Sequence, residues 1–427
     1  MAILNRNIQP GIKLIDKINF FQPEMIKLSN GIPVYQINTG TQDVTKIEFI
    51  FNAGSWYQDK HLISRFTNKM LKEGTKNYTS KEIAEKIDYY GAHFESSAEQ
   101  DNAYISLYSL NKYIKHILPV LEEVIMHPLF PNNELKTKVQ NQKQKFIVNS
   151  KKVNFLARRK FNELIFGEGH PYGKLFNTCD FDKIENTDLV KFHNNHFLNQ
   201  NYKIIVAGKI PAGLIELLDK HFGKYNGDQN SLNSKKVFLK APGSNRFVHI
   251  KRDDAVQSAI RIGKTMFNKK HPDYIKLKVL NTVLGGYFGS RLMTNIREDK
   301  GYTYGIGSAL VSLQHSGYFF ISAETGSEVT QKAIEEVYHE IRVLQEDKIP
   351  EAELSIVRNY MLGSLLSSID GAFALADNFK SLLEYELNLD YYKDFIEIIN
   401  NINAEELRDL AQKYLNLDSL FELKVGR

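Results

Sequence analysis

Two histidines have types and a spacing that could do chemistry. His193 and His196 are three residues apart, so on a helix they would share one face and could bind a metal together. No acid or cysteine stands where it would complete a ligand set with them. We therefore interpret both as surface histidines with ordinary hydrogen-bond partners.

A glycine-rich segment is a second candidate for chemistry. Residues 285–289 read Gly-Gly-Tyr-Phe-Gly, a composition that can surround a phosphate group. The segment lacks both the G-K-[ST] ending and the G-x-G-x-x-G order of the known phosphate-binding loops. Close packing of the backbone is the better explanation for its glycines.

The elements that would position such groups occur twice along the chain. Residues 184–208 contain a helical stretch and then a strand, and residues 402–426 repeat that order at an offset of 218 residues. FPNNEL and IPEAEL, further upstream, repeat at an offset of 219. A nearly constant offset indicates a duplicated domain. We expect domains at residues 13–223 and 236–427, joined by a linker at 224–235.

Hydrophobic periodicity predicts the fold class. Apolar residues recur at helical spacing in residues 111–126 and 333–344, whereas residues 47–53 and 103–110 show the short apolar or alternating pattern of strands. Strands and helices do not alternate strictly along the chain. This arrangement favours an α+β fold, with an antiparallel sheet and helices on one face in each domain.

Composition limits the possible partners and compartments. The 427 residues are 42% hydrophobic and carry a net charge of +5 with acids and bases interleaved, so we expect no nucleic acid partner. A single cysteine, Cys179, excludes an intramolecular disulfide. The N-terminus has no apolar run typical of a signal peptide, and no stretch is as apolar as a membrane span. These features predict a cytoplasmic protein without membrane partners.

Five motifs occur in order along both halves. They are FIFNAGSWYQDK, MLKEGTKNY, HPYG, LGGYFGSRL and IREDKGYTYGIG, and they begin at residues 49, 70, 170, 284 and 296. Together they resemble the pitrilysin-like (insulinase-type) zinc peptidases over nearly the whole chain. The resemblance implies one half of a clam shell, in which a zinc site on one half faces the other half.

The zinc motif of that family is replaced in this chain. Active members carry H-x-x-E-H, where two histidines bind zinc and the glutamate activates water. The matching positions here are Arg65, Asn68 and Lys69, and no acid stands between Glu134 and Glu163 to supply the third ligand. Arginine and the lysine ammonium offer no lone pair to a metal, and two cations repel a divalent ion. We expect this chain to bind no zinc and no other cofactor.

Arg65 and Lys69 leave two interpretations open. They could simply lie on a solvated helix face. They could also form a basic patch that contacts a partner or the C-terminus of a peptide.

The family resemblance assigns a role to Arg297 and Tyr304. In active members the far half supplies an arginine and, seven residues later, a tyrosine, which contact the substrate and the oxyanion. A fixed cation and a phenolic donor both stabilise developing negative charge. Without such a role, Arg297 would form a surface ion pair with Glu298 or Asp299, and Tyr304 would pack on its sheet.

The pattern as a whole favours a subunit that does not cleave alone. Some bacterial members of the family divide the clam shell between two chains, one with H-x-x-E-H and one with the Arg/Tyr pair. The leading hypothesis is the second kind of chain, a non-catalytic subunit. It would meet a zinc-binding partner of similar size and unfolded peptide substrates. The alternative is an inactive structural or peptide-binding homodimer, like the respiratory core subunits that resemble this family.

Overall fold

Two sheets with matching strand orders organise the molecule. The computed structural model describes residues 18, 20–199, 201–225 and 245–427. The first sheet contains β1 (Glu24–Lys27), β2 (Pro33–Asn38), β3 (Val44–Phe51), β4 (His93–Ala98), β5 (Ala103–Leu110) and β6 (Tyr202–Gly208). The second contains β7 (Phe247–Lys251), β8 (Gln257–Met266), β9 (Thr303–Leu313), β10 (Ser316–Gly326) and β11 (Phe421–Gly426).

The strand orders confirm the duplication. The first sheet runs β1-β2-β6-β3-β5-β4 and the second β7-β11-β8-β10-β9, so the two differ only by the extra edge strand β1. In each sheet one pair is parallel, β2 with β6 and β7 with β11, and the other pairs are antiparallel. Strands β6 and β11 both end at a left-handed glycine, Gly208 with φ 126° and Gly426 with φ 148°. The predicted α+β fold with two homologous domains is therefore confirmed.

The helices follow the same duplication. Pro131 and Pro350 precede the long helices of FPNNEL and IPEAEL, and helices of equal length precede the last strand of each half. The first half contains α1 (Ile63–Met70), α2 (Ser80–Tyr89), α3 (Ile114–Met126), α4 (Asn132–Ser150), α5 (Val153–Phe166), α6 (Thr178–Phe181), α7 (Asn186–His196) and α8 (Leu214–Leu218). The second contains α9 (Tyr274–Asn281), α10 (Thr330–Glu346), α11 (Glu351–Ser368), α12 (Ala372–Leu383), α13 (Asp390–Asn401) and α14 (Ala404–Tyr414).

The two halves exchange one helix each. Helix α5 of the first half packs against β8 and β11 of the second sheet, and α12 of the second half packs against β2 and β6 of the first. Alternation along the strands explains how this is possible, because successive side chains point to opposite faces. In β6, Ile204 and Val206 face the helices of their own half, whereas Ile205 and Ala207 face α12.

A buried charge network also joins the halves. Lys46 and Glu48 of β3 are nearly inaccessible to solvent. The Lys46 ammonium lies 2.8 Å from a carboxylate oxygen of Asp377, and the Lys380 ammonium lies 2.9 Å from a carboxylate oxygen of Glu48. Burial alone would lower the pKa of Lys46, but Glu48 and Asp377 outweigh it and raise that pKa. The two halves therefore form one body through both apolar and charged contacts.

The structure describes only a small part of the predicted linker. Apart from Lys224 and Tyr225, the linker predicted at 224–235 lies outside the described residues, so the domain boundaries stay predictions. None of the helices in the described part of the chain has the length and apolar character of a membrane span.

Candidate functional site

Helix α1 carries the three positions where active relatives would bind and use zinc. Arg65 and Lys69 are exposed and lie one turn apart, so their side chains share a face of the helix. Asn68, at the position of the catalytic glutamate, is only 1% exposed. Neither polar atom of its side chain has a hydrogen-bond partner among the described residues. The helix therefore presents two cations where the family presents two histidines.

Two cavities lie on either side of this helix face. One, of about 970 Å³, is lined by Lys69 and by Asn141 and Lys145 of α4. The part of α4 around these residues, where the family resemblance would place the third zinc ligand, thus lines the same cavity as Lys69. The other cavity, of about 780 Å³, is lined by Arg65 and by Arg158 of α5. Both cavities are also lined by Glu99, Tyr104 and Glu384.

The positive charges around α1 affect one another. Although Arg65 and Lys69 are exposed, water is restricted around their charged ends. Loss of solvent, and then the neighbouring Arg158, lower the pKa of Arg65. Loss of solvent, followed by Arg65 and Lys145, lowers the pKa of Lys69. These positive charges would repel a zinc ion, and neither Arg65 nor Lys69 has a lone pair to bind it. The residues at this position do not fit a metal.

A wider search of the described residues gives no other metal centre. Within the described ranges, no three or more His, Cys, Asp or Glu side chains are grouped to hold a metal ion. The His193 ring bonds to the carbonyl of Ile125 at 2.7 Å, and the His196 ring to the carbonyl of Asn52 at 3.1 Å. Both histidines thus have ordinary hydrogen-bond partners, as expected, but the interpretation of His193 as a surface residue was wrong, because this residue is only 3% exposed. Burial lowers the pKa of His193 to about 4, so this ring is neutral at pH 7.

Arg297 and Tyr304 lie in a different environment, at the outer edge of the second sheet. Tyr304 is the second residue of the edge strand β9 and is 92% exposed. Arg297 belongs to a π-helical turn, Met293–Asp299, just before that strand. Its guanidinium lies 4.7 Å from the ring centroid of Phe288, which is itself 62% exposed. Neither residue lines the two cavities around α1.

Neighbouring side chains fix the turn that carries Arg297. Arg291 makes two hydrogen bonds to Glu353, of 2.8 and 2.9 Å. Asn295 donates to Glu336 at 3.1 Å and to Glu340, and Lys300 forms an ion pair with Glu336. Among the described residues, by contrast, Arg297 pairs with no carboxylate. The turn is anchored on both sides while Arg297 itself stays available.

The structure therefore favours neither of the two ordinary explanations for the pair. No ion pair joins Arg297 to Glu298 or Asp299 in the described residues, and Tyr304 does not pack on its sheet. Tyr302, two residues earlier, is half-buried against the core of the second half. That contrast makes Tyr302 a suitable control for Tyr304.

The glycine-rich segment at residues 285–289 packs against β9, the strand that carries Tyr304. A β-carbon on Gly285 would lie 2.6 Å from the hydroxyl and 2.7 Å from the amide nitrogen of Ser308 in β9. A side chain at this position would thus push the segment away from the strand. Close packing against β9 explains the glycine, as the sequence suggested, and it holds the strand that carries Tyr304.

Two cations and one aromatic contact near the cavities could not be predicted from the sequence. Lys145 and Arg158 reach the α1 region from two other helices, and no motif links them to Arg65. Trp56 stacks on His315 of the other half at 4.0 Å between ring centroids, beside the HPYG motif. No periodicity indicates such contacts, because they depend on how the halves meet.

Comparison with known families agrees with the motifs. The family model described as insulinase (peptidase family M16) matches residues 34–165, and the model described as the peptidase M16 inactive domain matches residues 183–361. The chain belongs to the insulinase family. Together with the replaced zinc ligands, these matches show an inactive member of that family.

Individual relatives cover nearly the whole length of this insulinase-family chain. An uncharacterized zinc protease, YmxG, of Bacillus subtilis is 26% identical over 91% of this chain and 95% of its own length. A protein named non-peptidase homolog YmxG, of Helicobacter pylori, is 21% identical over 88% of this chain and 87% of its own. The crystal structure of a peptidase M16 inactive domain from Pseudomonas fluorescens superposes with a TM-score of 0.83 at 24% identity. That alignment covers 95% of this chain and 98% of the other, and it establishes the shared fold.

Proposed function

We propose that this chain is the non-catalytic subunit of a heterodimeric zinc metallopeptidase. It closes the chamber over unfolded peptides and supplies Arg297 and Tyr304 to a partner that bears H-x-x-E-H. The zinc belongs to the partner, since Arg65 and Lys69 replace the two histidine ligands and offer no lone pair to a metal, and Asn68 replaces the glutamate that activates water.

The exposure of Tyr304 carries this proposal. Tyr304 is 92% exposed on an edge strand, and the guanidinium of the half-buried Arg297 lies over the exposed ring of Phe288. Within the described residues, Arg297 forms no ion pair and Tyr304 does not pack on its sheet. Glu353, Glu336 and Glu340 hold the turn that carries Arg297 in place. A fixed cation and a phenolic donor that face outward can act on an oxyanion formed at another chain's metal.

The second candidate is an inactive structural or peptide-binding homodimer. The name of the Helicobacter pylori relative, a non-peptidase homolog, favours it. A homodimer of this chain would contain two copies of the α1 cations and no zinc site. It would therefore have no use for oxyanion donors, and the exposure of Tyr304 would be accidental.

Reconstitution separates the two candidates. The chain is produced alone and together with an H-x-x-E-H member of the family from the same organism, and each sample is assayed for hydrolysis of a fluorogenic peptide. We expect a stable heterodimer by gel filtration and activity only in the mixture. A homodimer that ignores the second chain, with no gain in hydrolysis, would support the structural candidate instead.

Metal content is the first quantitative prediction. Because the α1 positions offer two cations and an amide, elemental analysis of the isolated chain should find well under one zinc per chain. The heterodimer should contain about one zinc, and all of it should disappear when the partner's histidines are replaced. One zinc per isolated chain that is lost in Arg65→Ala/Lys69→Ala would overturn the assignment.

A further inference from the structure

The cations around α1 form more than a solvated helix face. We propose that Arg65, Lys69, Lys145 and Arg158, here called the basic cluster, bind the carboxylate groups of peptides in the chamber. This inference rests on the proposed function only for the statement that peptides enter the chamber. It concerns binding by this chain alone, and it assigns an anionic ligand to the place where active relatives hold a metal cation.

The basic cluster is assembled from three separate elements. Arg65 and Lys69 come from one face of α1, Lys145 from α4 and Arg158 from α5. Arg158 is the neighbouring cation that lowers the pKa of Arg65, and Lys145 is among those that lower the pKa of Lys69. The four charges therefore converge on one region although they are up to 93 positions apart in sequence. Convergence of like charges is unfavourable unless an anion occupies the region.

Arg65, Lys69 and Lys145 also lack the partners that nearby cations have in the described residues, and Arg158 has a distant one, with its guanidinium 5.8 Å from the ring centroid of Phe155. Lys138, on the same wall as Lys145, lies 2.9 Å from a carboxylate oxygen of Glu73. Arg159, next to Arg158, lies over the rings of Phe146 and Phe176 at 4.6 and 4.4 Å. Within the described residues, no member of the basic cluster forms an ion pair with a carboxylate. Lys138 and Arg159 are thus occupied, whereas the basic cluster is open.

Acidic groups that line the same cavities are engaged elsewhere. Glu48 and Asp377 pair with Lys46 and Lys380 in the buried network between the halves. Glu384 accepts a hydrogen bond from the Tyr104 hydroxyl, and burial raises its pKa.

Glu99 and Glu168 are the exceptions among the acids of the cavities, and of the two only Glu99 lines both cavities. Glu99 is therefore the one used as a test. It lies between the two cavities and has no side-chain partner in the described residues. It opposes an incoming carboxylate, so replacing Glu99 by glutamine should strengthen binding. The variant thus tests the same electrostatic field with the opposite sign.

The cavities have the size of a peptide site. Volumes of about 970 and 780 Å³ lie within or close to the range of about 300–1,000 Å³ that is usual for small-molecule sites. They admit several residues of an extended chain but no folded domain. In such a restricted space the attraction between an anion and these cations is stronger than in bulk water. A terminal carboxylate and the side chains of Asp and Glu present the same group, and either could occupy the site.

Direct binding to the isolated chain tests the inference. The probe is a fluorescein-labelled 12-residue peptide of Gly, Ser and Ala with three glutamates near its C-terminus, measured by anisotropy at low salt. Matched peptides carry three glutamines in place of the glutamates, or an amidated C-terminus. The main variant is Arg65→Gln/Lys69→Gln, and Lys145→Gln gives an independent variant on another helix. The control is Lys81→Gln/Lys136→Gln, which removes two exposed lysines that line neither cavity.

The expected results are specific to the basic cluster. The acidic peptide should bind at least about tenfold more tightly than its glutamine counterpart, and raising the salt to 0.5 M should abolish most of the difference, since salt screens charges. The main variant should lose that advantage, Lys145→Gln should lose part of it, Glu99→Gln should increase it, and the control should keep it. Loss on amidation alone would assign the site to the terminal carboxylate, and persistence would assign it to acidic side chains.

Two results would overturn the inference. One is binding to the wild-type chain that neither glutamine in place of glutamate nor amidation weakens, or binding that is unchanged in both Arg65→Gln/Lys69→Gln and Lys145→Gln. The other is tighter binding of an oligodeoxythymidine through the same residues, which would make nucleic acid the ligand. A chain that fails to form an active heterodimer yet binds the acidic peptide would contradict only the proposed function. An active heterodimer without this binding would contradict only the inference.

Discussion

The α1 region and the edge that carries Arg297 and Tyr304 have changed in opposite ways relative to an active peptidase. The first has lost its chemistry and lies beside cavities that the two halves enclose. The second keeps the arginine and tyrosine of the family pattern and exposes Tyr304 at the edge of its sheet. This difference agrees with the proposal that the Arg297/Tyr304 edge, rather than the α1 region, acts on a partner chain. Residues needed by a partner must reach beyond their own chain, whereas residues at the enclosed site meet only what enters the chamber.

The two regions also differ in how their charges are balanced. Around α1, cations approach one another without carboxylate partners, and loss of solvent followed by neighbouring cations lowers the pKa of Arg65 and of Lys69. Around Arg297, the neighbouring Arg291 and Lys300 each have a carboxylate partner, so a single cation is left open. The α1 region resembles a place prepared for an anion, and the Arg/Tyr edge a single directed contact. Each prediction below tests one side of this comparison.

The largest effect is expected from the helix that closes the enclosed region. Phe161 of α5 is fully buried among Ala259, Leu423 and Val425 of the second sheet. Phe161→Ala should reduce the free energy of unfolding by about 3–5 kcal/mol, the usual cost of removing a buried phenylalanine. The fluorescence of the only tryptophan, Trp56, between the halves reports the transition in denaturant.

A control on the same helix sharpens this prediction. Phe155 is only half-buried against Phe146, so Phe155→Ala should cost clearly less. Because α5 packs on the other half, Phe161→Ala should destabilise both halves in one transition. Two separate transitions, with only the first half affected, would contradict the structural role of the exchange.

The next largest effect concerns the Arg/Tyr edge. In the reconstituted heterodimer, Arg297→Ala or Tyr304→Phe should each lower kcat/KM by about 10²–10³, or about 2.7–4 kcal/mol, the usual cost of losing an oxyanion donor. Assembly should survive, because Tyr304 is 92% exposed and the half-buried Arg297 forms no ion pair in the described residues. Steady-state kinetics and gel filtration measure the two properties separately.

Tyr302→Phe is the matched control for this edge. Its ring packs against the core of the second half, so the loss of its hydroxyl should change kcat/KM less than about tenfold. Near-normal turnover of assembled Arg297→Ala and Tyr304→Phe heterodimers would contradict a role of this edge in catalysis. The edge would then be only a partner surface.

The smallest effect lies inside α1 itself. Thr67 is fully buried and its hydroxyl has no hydrogen-bond partner in the described residues. Thr67→Val keeps the shape and removes the unpaired group, so it should stabilise the fold by about 1 kcal/mol. Ser64→Ala is the control, because that hydroxyl donates to the carbonyl of Ala53 at 2.6 Å, and its loss should destabilise the fold by a similar amount. A destabilised Thr67→Val variant would reveal a partner for the hydroxyl.

The sequence contains the elements and the repeat, but not their arrangement in space. Strand β5 begins and ends where its apolar pattern does, and the offset of 218 residues relates β6 to β11. The uninterrupted apolar run at residues 204–207 indicates that both faces of β6 are apolar. It does not show that one face is covered by a helix more than 160 positions later in the chain. The exchange of α5 and α12 therefore had to come from the structure.

The candidate site, too, could be predicted from the sequence only in part. The types of Arg65 and Lys69 exclude zinc binding at these positions without any coordinates, because neither cation has a lone pair to offer to a metal. The exposure of Tyr304 depends on which strand lies at the edge of the sheet, and alternation alone cannot decide that. Likewise, Lys145 and Arg158 join Arg65 and Lys69 only after three helices have packed.

The exchanged helices have a consequence for synthesis on the ribosome. When residues 1–225 have emerged, Ile37, Ile50 and Ile205 form an uncovered apolar surface, because α12 at residues 372–383 has not yet been made. The nascent first half would thus wait for most of the chain before its sheet is covered, and it would need protection from aggregation in that interval. Two fragments made separately would lack their covering helices for the same reason. When mixed, each would provide the helix that the other needs.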